Sequence, residues 1–206
     1  MTPSDRIRRL LPALGAALLL AGCGVREPPA AQQSSLPPST RAAVADRIEV
    51  PCDDTITEFS PPGPDLNTVD PEFDIVGGVI ALRTAKTAGY VAQLSAHGLY
   101  DDPTLRLAAK TPLLVRRGTT FELRVPDDLH DRVALDYSRS GPSLRTAFGP
   151  CDSETEWLLF TGYVWVADPE CISLEVVLPD STVEAPQLGL CAPCPDDLGP
   201  EATPDT

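Results

Sequence analysis

Along much of the chain, apolar and polar residues alternate one for one. Phe121, Leu123 and Val125 alternate with Glu122 and Arg124, and Val133, Leu135 and Tyr137 with Arg132, Ala134 and Asp136. Ile172, Leu174, Val176 and Leu178 alternate with Ser173 and Glu175 in the same way. Successive side chains of an extended chain point to opposite faces, so each run predicts a strand with one buried and one wet face. Residues 157–166 are apolar on both faces, as in a central strand, and Asp168-Pro169-Glu170 predicts a turn and hairpin into a strand beginning at Cys171. Further strands are expected at residues 48–52, 73–82, 113–116 and 183–190. Turn signals at Pro61-Pro62-Gly63, Arg117-Gly118, Pro126-Asp127 and Ser140-Gly141-Pro142 punctuate them. The pattern predicts a mainly β fold, an antiparallel β-sandwich of about 7–9 strands.

One stretch follows a different period. Residues 87–110 place Tyr90, Leu94 and His97 on one helical face, and Asp102-Pro103 has the form of an N-cap and first helical position. A short helical excursion between two strands is therefore expected near 87–110.

The N-terminal residues carry no such alternation. Arg6, Arg8 and Arg9 precede an apolar run from Leu10 to Leu20, followed by Leu20-Ala21-Gly22-Cys23. That run is too short to cross a hydrocarbon core of about 30 Å as a helix, so it reads as a secretion signal. The tetrapeptide resembles the lipobox of bacterial lipoproteins. The resemblance implies a diacylglyceryl group on the thiol of Cys23, cleavage just before it, and a lipid anchor on the outer face of the cell membrane. Two acyl chains are enough for firm anchoring. The expected organisation is thus a signal peptide over 1–22, a lipidated disordered spacer over 23–45 with Pro28, Pro29, Pro37 and Pro38, a β-sandwich domain over 46–194, and a disordered acidic tail over 195–206.

Charge narrows the range of partners. The formal net charge is −14. Loss of residues 1–22 removes three arginines and Asp5, leaving 13 basic and 29 acidic residues, or −16. A chain this acidic is not expected to bind nucleic acid, where Lys and Arg must neutralise phosphates. It is also not expected to dock on anionic headgroups. Arginine outnumbers lysine 14 to 2, a bias typical of high-GC genomes.

With Cys23 lipidated, five cysteines remain: Cys52, Cys151, Cys171, Cys191 and Cys194. Outside the cytoplasm such residues pair, giving two disulfides and one leftover thiol among fifteen arrangements. The expectation taken forward is Cys151 with Cys171, and Cys52 with either Cys191 or Cys194. Cys191-Ala192-Pro193-Cys194 has the spacing of a redox CxxC, but it follows an antiparallel-looking strand and leads into no helix that would lower a thiol pKa. It reads as structural. A zinc site from Cys151, Cys171, Cys191 and Cys194 would have only one CxxC pair.

Other chemistry is sparse. His97 reads as packing and His130 as a solvated loop residue, in no zinc-protease spacing. Ser138, Ser140 and Ser143 lie outside any GxSxG elbow. Asp65, Asn67, Asp70, Glu72 and Asp74 are dense oxygen donors of the kind calcium takes, but lack the spacing and glycine of an EF-hand. No catalytic residue, metal or cofactor is assigned.

Residues 111–194 also resemble uncharacterised envelope proteins of high-GC bacteria. The similar stretches are Val115-Arg116-Arg117-Gly118, Phe148-Gly149-Pro150-Cys151, Gly162-Tyr163-Val164-Trp165-Val166 and Pro169-Glu170-Cys171. This resemblance implies no activity. The expected function is a non-catalytic, membrane-anchored extracytoplasmic binding or interaction module of the cell envelope. Its partners would be the membrane, through Cys23, and an envelope protein or wall component. The alternative is a small ligand-binding lipoprotein serving a transporter or receptor, with a pocket at Trp157, Tyr163 or Trp165.

Overall fold

The computed structural model describes residues 43–56, 63–87, 90–96 and 104–195. The signal peptide, Cys23, nearly all of the spacer and the tail beyond residue 195 lie outside the described residues, as do His97 and Asp102-Pro103. The described chain is mainly β, with seventeen short strands and two single-turn 3-10 segments, Cys52–Asp54 and Asp127–Leu129. Nine strands form one sheet, five a second and three a third. The pairing is antiparallel except where Ala45–Val50 runs beside Ser143–Phe148 and Gln187–Leu190 beside Val91–Ala92. The nine- and five-stranded sheets share one buried core in the manner of a sandwich. Leu123, Leu135 and Val164 from the first sheet pack with Ile80, Leu113 and Phe160 from the second.

The expected single strand 157–166 is two, Trp157–Phe160 and Tyr163–Val166, and they belong to different sheets. The first pairs with Leu113–Arg116 and the second with Leu107–Lys110. The register is continuous: Trp157 lies opposite Arg116, Phe160 opposite Leu113, Tyr163 opposite Lys110 and Val166 opposite Leu107. One antiparallel ribbon therefore leaves the five-stranded sheet and enters the nine-stranded sheet at Thr111-Pro112 and Thr161-Gly162, where the Thr111 N–H donates to the Gly162 carbonyl at 3.0 Å. Strands that switch sheets in this way make the corners of a sandwich.

A second ribbon does the same. The runs 172–178 and 183–190 each divide, into Glu170–Ser173 and Glu175–Val177, and into Val183–Glu184 and Gln187–Leu190. Register is again kept across the break, with Ser173 opposite Gln187 and Val176 opposite Glu184. The Leu174 N–H donates to the Pro186 carbonyl at 3.0 Å at the crossing. The turn at 168–169 exists, but the hairpin expected there does not: the strands on either side of it enter different sheets.

Two further expectations are corrected. The described part of 87–110 is extended, as Val91–Ala92, Leu94–Ala96 and Leu107–Lys110, not helical. The expected strand 73–82 is a hairpin, Asp74–Val76 with Ile80–Leu82, turned at Gly77 and Gly78. Both glycines sit at positive φ, +58° and +71°, as such a tight hairpin turn requires. At the start of the domain the first strand begins at Ala45, and Val44 already packs against the cluster around Trp165.

Alternation along the first ribbon gives each sheet an outer apolar cluster. Leu158, Phe160, Val164 and Val166 point into the shared core. Trp157 points outward onto Ala81 and Leu114, and Trp165 outward onto Leu105, Ala108 and Ala134.

Candidate functional site

The disulfides are Cys52–Cys151 and Cys171–Cys194, with Cα separations of 5.6 and 5.1 Å. This corrects the expected pairing of Cys151 with Cys171 and of Cys52 with Cys191 or Cys194. The reason is local. Val50 lies opposite Phe148 in the parallel pair, so Cys52 and Cys151, just beyond the two strand ends, arrive together. Cys171 lies opposite Gly189 in the second ribbon, and the chain turns back through Cys191, at φ 51°, to deliver Cys194. Because Cys194 is bridged to Cys171, the two CxxC cysteines are not bonded to each other, and a four-cysteine zinc site is excluded by the same bonds. Among the described residues no three His, Cys, Asp or Glu side chains are placed to hold a metal ion.

The remaining polar candidates are committed to the fold. His130 is half-buried rather than solvated, its Nε2 2.9 Å from the Val125 carbonyl oxygen and 3.6 Å from Asp127. Ser143 is buried and shares a 2.9 Å hydrogen bond with the Thr146 hydroxyl. The Ser138 hydroxyl oxygen accepts from the Ser140 N–H. Of the acidic residues at 65–74, Asp65 and Asp70 accept backbone N–H bonds from Asn67 and Glu72, Glu72 pairs with Arg83, and Asp74 accepts from the Thr84 hydroxyl. Their oxygens face different partners and do not converge.

Trp157 and Trp165 are core, at 4 % and 1 % exposure. The Trp165 indole N–H donates to Asp136 at 3.1 Å, and Arg116 stacks over Trp157 with its guanidinium carbon 5.7 Å from the ring centroid. The pocket expected of a small-ligand carrier at these residues is filled by side chains. Tyr163 borders a polar groove of about 300 Å³ shared with Asp54 and Arg139.

Glu122 lies between two arginines. Arg47 donates to it at 2.8 Å and Arg124 donates to its other oxygen. Burial raises the Glu122 carboxyl, but the hydrogen bonds from Arg47 and Arg124 outweigh it and hold the group below the usual carboxylate range. The adjoining groove, about 390 Å³, is bordered by Phe148 and Leu178 and contains these ion pairs.

An apolar cleft lies on the outer face of the five-stranded sheet. Its floor is Leu114 and Leu159, which alternation turns away from the core, and its walls are Leu66, Val69 and Phe73. The segment carrying these walls is tied down where the Trp157 N–H donates to the Leu66 carbonyl at 2.9 Å. Arg83 fixes Phe73 from behind, its guanidinium carbon 5.3 Å from that ring and 5.2 Å from Tyr90. The cleft holds about 510 Å³, and the charged residues on its lining are Asp65 and Asp70, with no basic side chain. Its size suits an apolar anchor group. The sequence reading missed it because its parts come from a loop and from two strands that are far apart along the chain.

The chain matches no family model, no curated protein and no solved structure.

Proposed function

We propose that this protein is a lipoprotein, anchored by lipid on Cys23 to the outer face of a membrane, whose β domain acts as a non-catalytic binding module of the cell envelope. The observation that carries the reading is the pair of cystines, Cys52–Cys151 and Cys171–Cys194. Disulfides that join the start and end of a domain to its body persist in oxidising compartments and are rare in the cytoplasm. They agree with the secretion signal and lipobox that precede them. Binding is favoured over catalysis by how the titratable groups are used. Arginines 47, 83, 106, 116, 124, 132, 139 and 145 each pair with a carboxylate of the same chain. The largest pKa displacement among the described residues belongs to Tyr137, a buried structural group. The cleft on the outer face of the five-stranded sheet offers an apolar concave surface.

The test is mass spectrometry of the native protein together with detergent phase partition. The expected mature N-terminus is Cys23 with two or three acyl chains, and Cys23→Ala should move the protein from the detergent to the aqueous phase. An unmodified Cys23, or cleavage elsewhere, would overturn the anchor.

A further inference from the structure

The cleft between the 64–73 loop and the outer face of the five-stranded sheet has a chemical signature that specifies its occupant. Its floor and walls are apolar, Leu114 and Leu159 under Leu66, Val69 and Phe73. Its rim is anionic. The Asp65 carboxylate accepts the Asn67 N–H at 3.0 Å, and Asp70 accepts the Glu72 N–H at 2.8 Å, so both charges are held in place by backbone. The Asn67 backbone bond also holds the Asp65 carboxyl below the usual carboxylate range. Arg83, which stacks on Phe73, is paired with Glu72, and Arg116, which stacks on Trp157, is paired with Glu156. A chain of net charge −14 adds a long-range field of the same sign. An anionic occupant would meet uncompensated repulsion, and a purely apolar one would leave the two rim carboxylates without counter-charges.

We propose that this cleft receives a peptide segment of an envelope partner in which apolar anchor residues are flanked by lysine or arginine. The anchor fills the space over Leu114 and Leu159, and the flanking cations reach Asp65 and Asp70. This deepens the binding-module reading and rests on it for the place where the partner is met.

The probe is a fluorescent heptapeptide, Lys-Arg-Leu-Phe-Leu-Arg-Lys, titrated by anisotropy against the mature lipoprotein in phosphatidylcholine nanodiscs, with empty discs as baseline. Two control peptides replace every basic residue by Glu or every apolar residue by Ser. The parent should bind, and each control should bind at least about tenfold more weakly. Asp65→Asn with Asp70→Asn removes only exposed charges and leaves the fold intact. It should weaken the parent about three- to tenfold, an effect that disappears at about 1 M salt, where charges are screened within ~3 Å. Equal binding of the Glu control, equal binding of the Ser control, or an unchanged Asn variant would each overturn the proposal. So would parent binding that appears only after residues 24–42 are removed, since the chain's own proline-rich segment would then be the occupant. A protein that does not enter the discs refutes the lipid anchor instead. The same titrations in plain buffer then test the cleft alone.

Discussion

The two ribbons that cross between sheets are built to one plan and locked by different means. Each keeps its register through the crossing, and each has a proline in one strand at that point, Pro112 in the first and Pro186 in the second. The first ribbon is flanked on both sides in both sheets, by Leu94–Ala96 and Val133–Asp136 in one, and by Ile80–Leu82 and Thr55–Ile56 in the other. Its corner is locked without a covalent bond. The Tyr137 ring covers Gly162, and its hydroxyl donates to the Thr111 carbonyl at 3.0 Å and shares a 2.9 Å bond with the Thr111 hydroxyl. The second ribbon ends in Val183–Glu184 at the edge of the nine-stranded sheet, with Val183 half exposed. Its lock is the Cys171–Cys194 disulfide. A corner surrounded by packed neighbours can rely on side-chain fit; one with an open edge has fewer contacts, and a cross-link replaces them.

The comparison is sharpest if the covalent lock is opened first. Cys171→Ser with Cys194→Ser frees a bridge between residues 23 apart, which loop entropy values at about 3 kcal/mol. Urea denaturation should report that loss. Native-state hydrogen exchange should place it in residues 170–190 and leave residues 107–116 protected. Equal deprotection of both ribbons would mean that the second ribbon is not held independently. A non-reducing peptide map should first return Cys52 linked to Cys151 and Cys171 linked to Cys194.

The side-chain lock should respond next. A Cβ on Gly162 would lie 2.6 Å from Tyr137 Cε1 and 2.7 Å from Cγ, inside van der Waals contact with a fully packed ring. Gly162→Ala should therefore cost about 1–3 kcal/mol by overpacking, although alanine is otherwise the better strand residue. A neutral result would show that Tyr137 can move and that the corner is not jammed as described.

Tyr137→Phe keeps the ring and removes the hydroxyl, at a cost of about 1–2 kcal/mol for a buried hydrogen bond. It also has a signature in pH. Burial pushes the Tyr137 hydroxyl up to about 12, against the opposing effect of the Thr111 hydrogen bond. A group whose pKa is raised on folding contributes fully below its unfolded value, near 10, and loses that contribution as pH rises towards 12. About 2–3 kcal/mol should be lost across that window in the wild type and not in Tyr137→Phe. Parallel alkaline denaturation curves for the two proteins would refute the assignment.

Much of this fold is legible as alternation, and what alternation hides is the crossing. Residues 113–116 and 121–124 were read correctly because one face of each is apolar and the register is short. Residues 157–166 and 172–178 have the right periodicity throughout, but an unbroken ladder carries no mark of the point where its neighbours change sheets. Ser143–Phe148 was missed because two of its inward residues, Ser143 and Thr146, are polar and satisfy each other. Tyr90 and Leu94 stand four apart, a spacing that helix and strand can both place on one side, so the helical reading of 87–110 rested on a degenerate signal. The Cys52–Cys151 pairing follows from a parallel strand pair, which hairpin reasoning never proposes. The cleft, assembled from 64–73 and two distant strands, has no local pattern to find.

The last pair of substitutions compares the two corners directly, and its readout is the difference between them. Replacing either proline by alanine loosens the unfolded chain and costs about 0.4–1 kcal/mol where the native geometry suits both residues. The substitution also adds an N–H that must find a partner. Pro112 is half-buried, so an N–H at 112 remains within reach of water; Pro186 is buried. An unsatisfied buried donor costs a further ~1–3 kcal/mol. Pro186→Ala should therefore destabilise more than Pro112→Ala, by about 1 kcal/mol or more in matched urea titrations. Equal losses would show that the proline at 186 contributes only chain stiffness, and that the two crossings differ in their locks but not in their backbones.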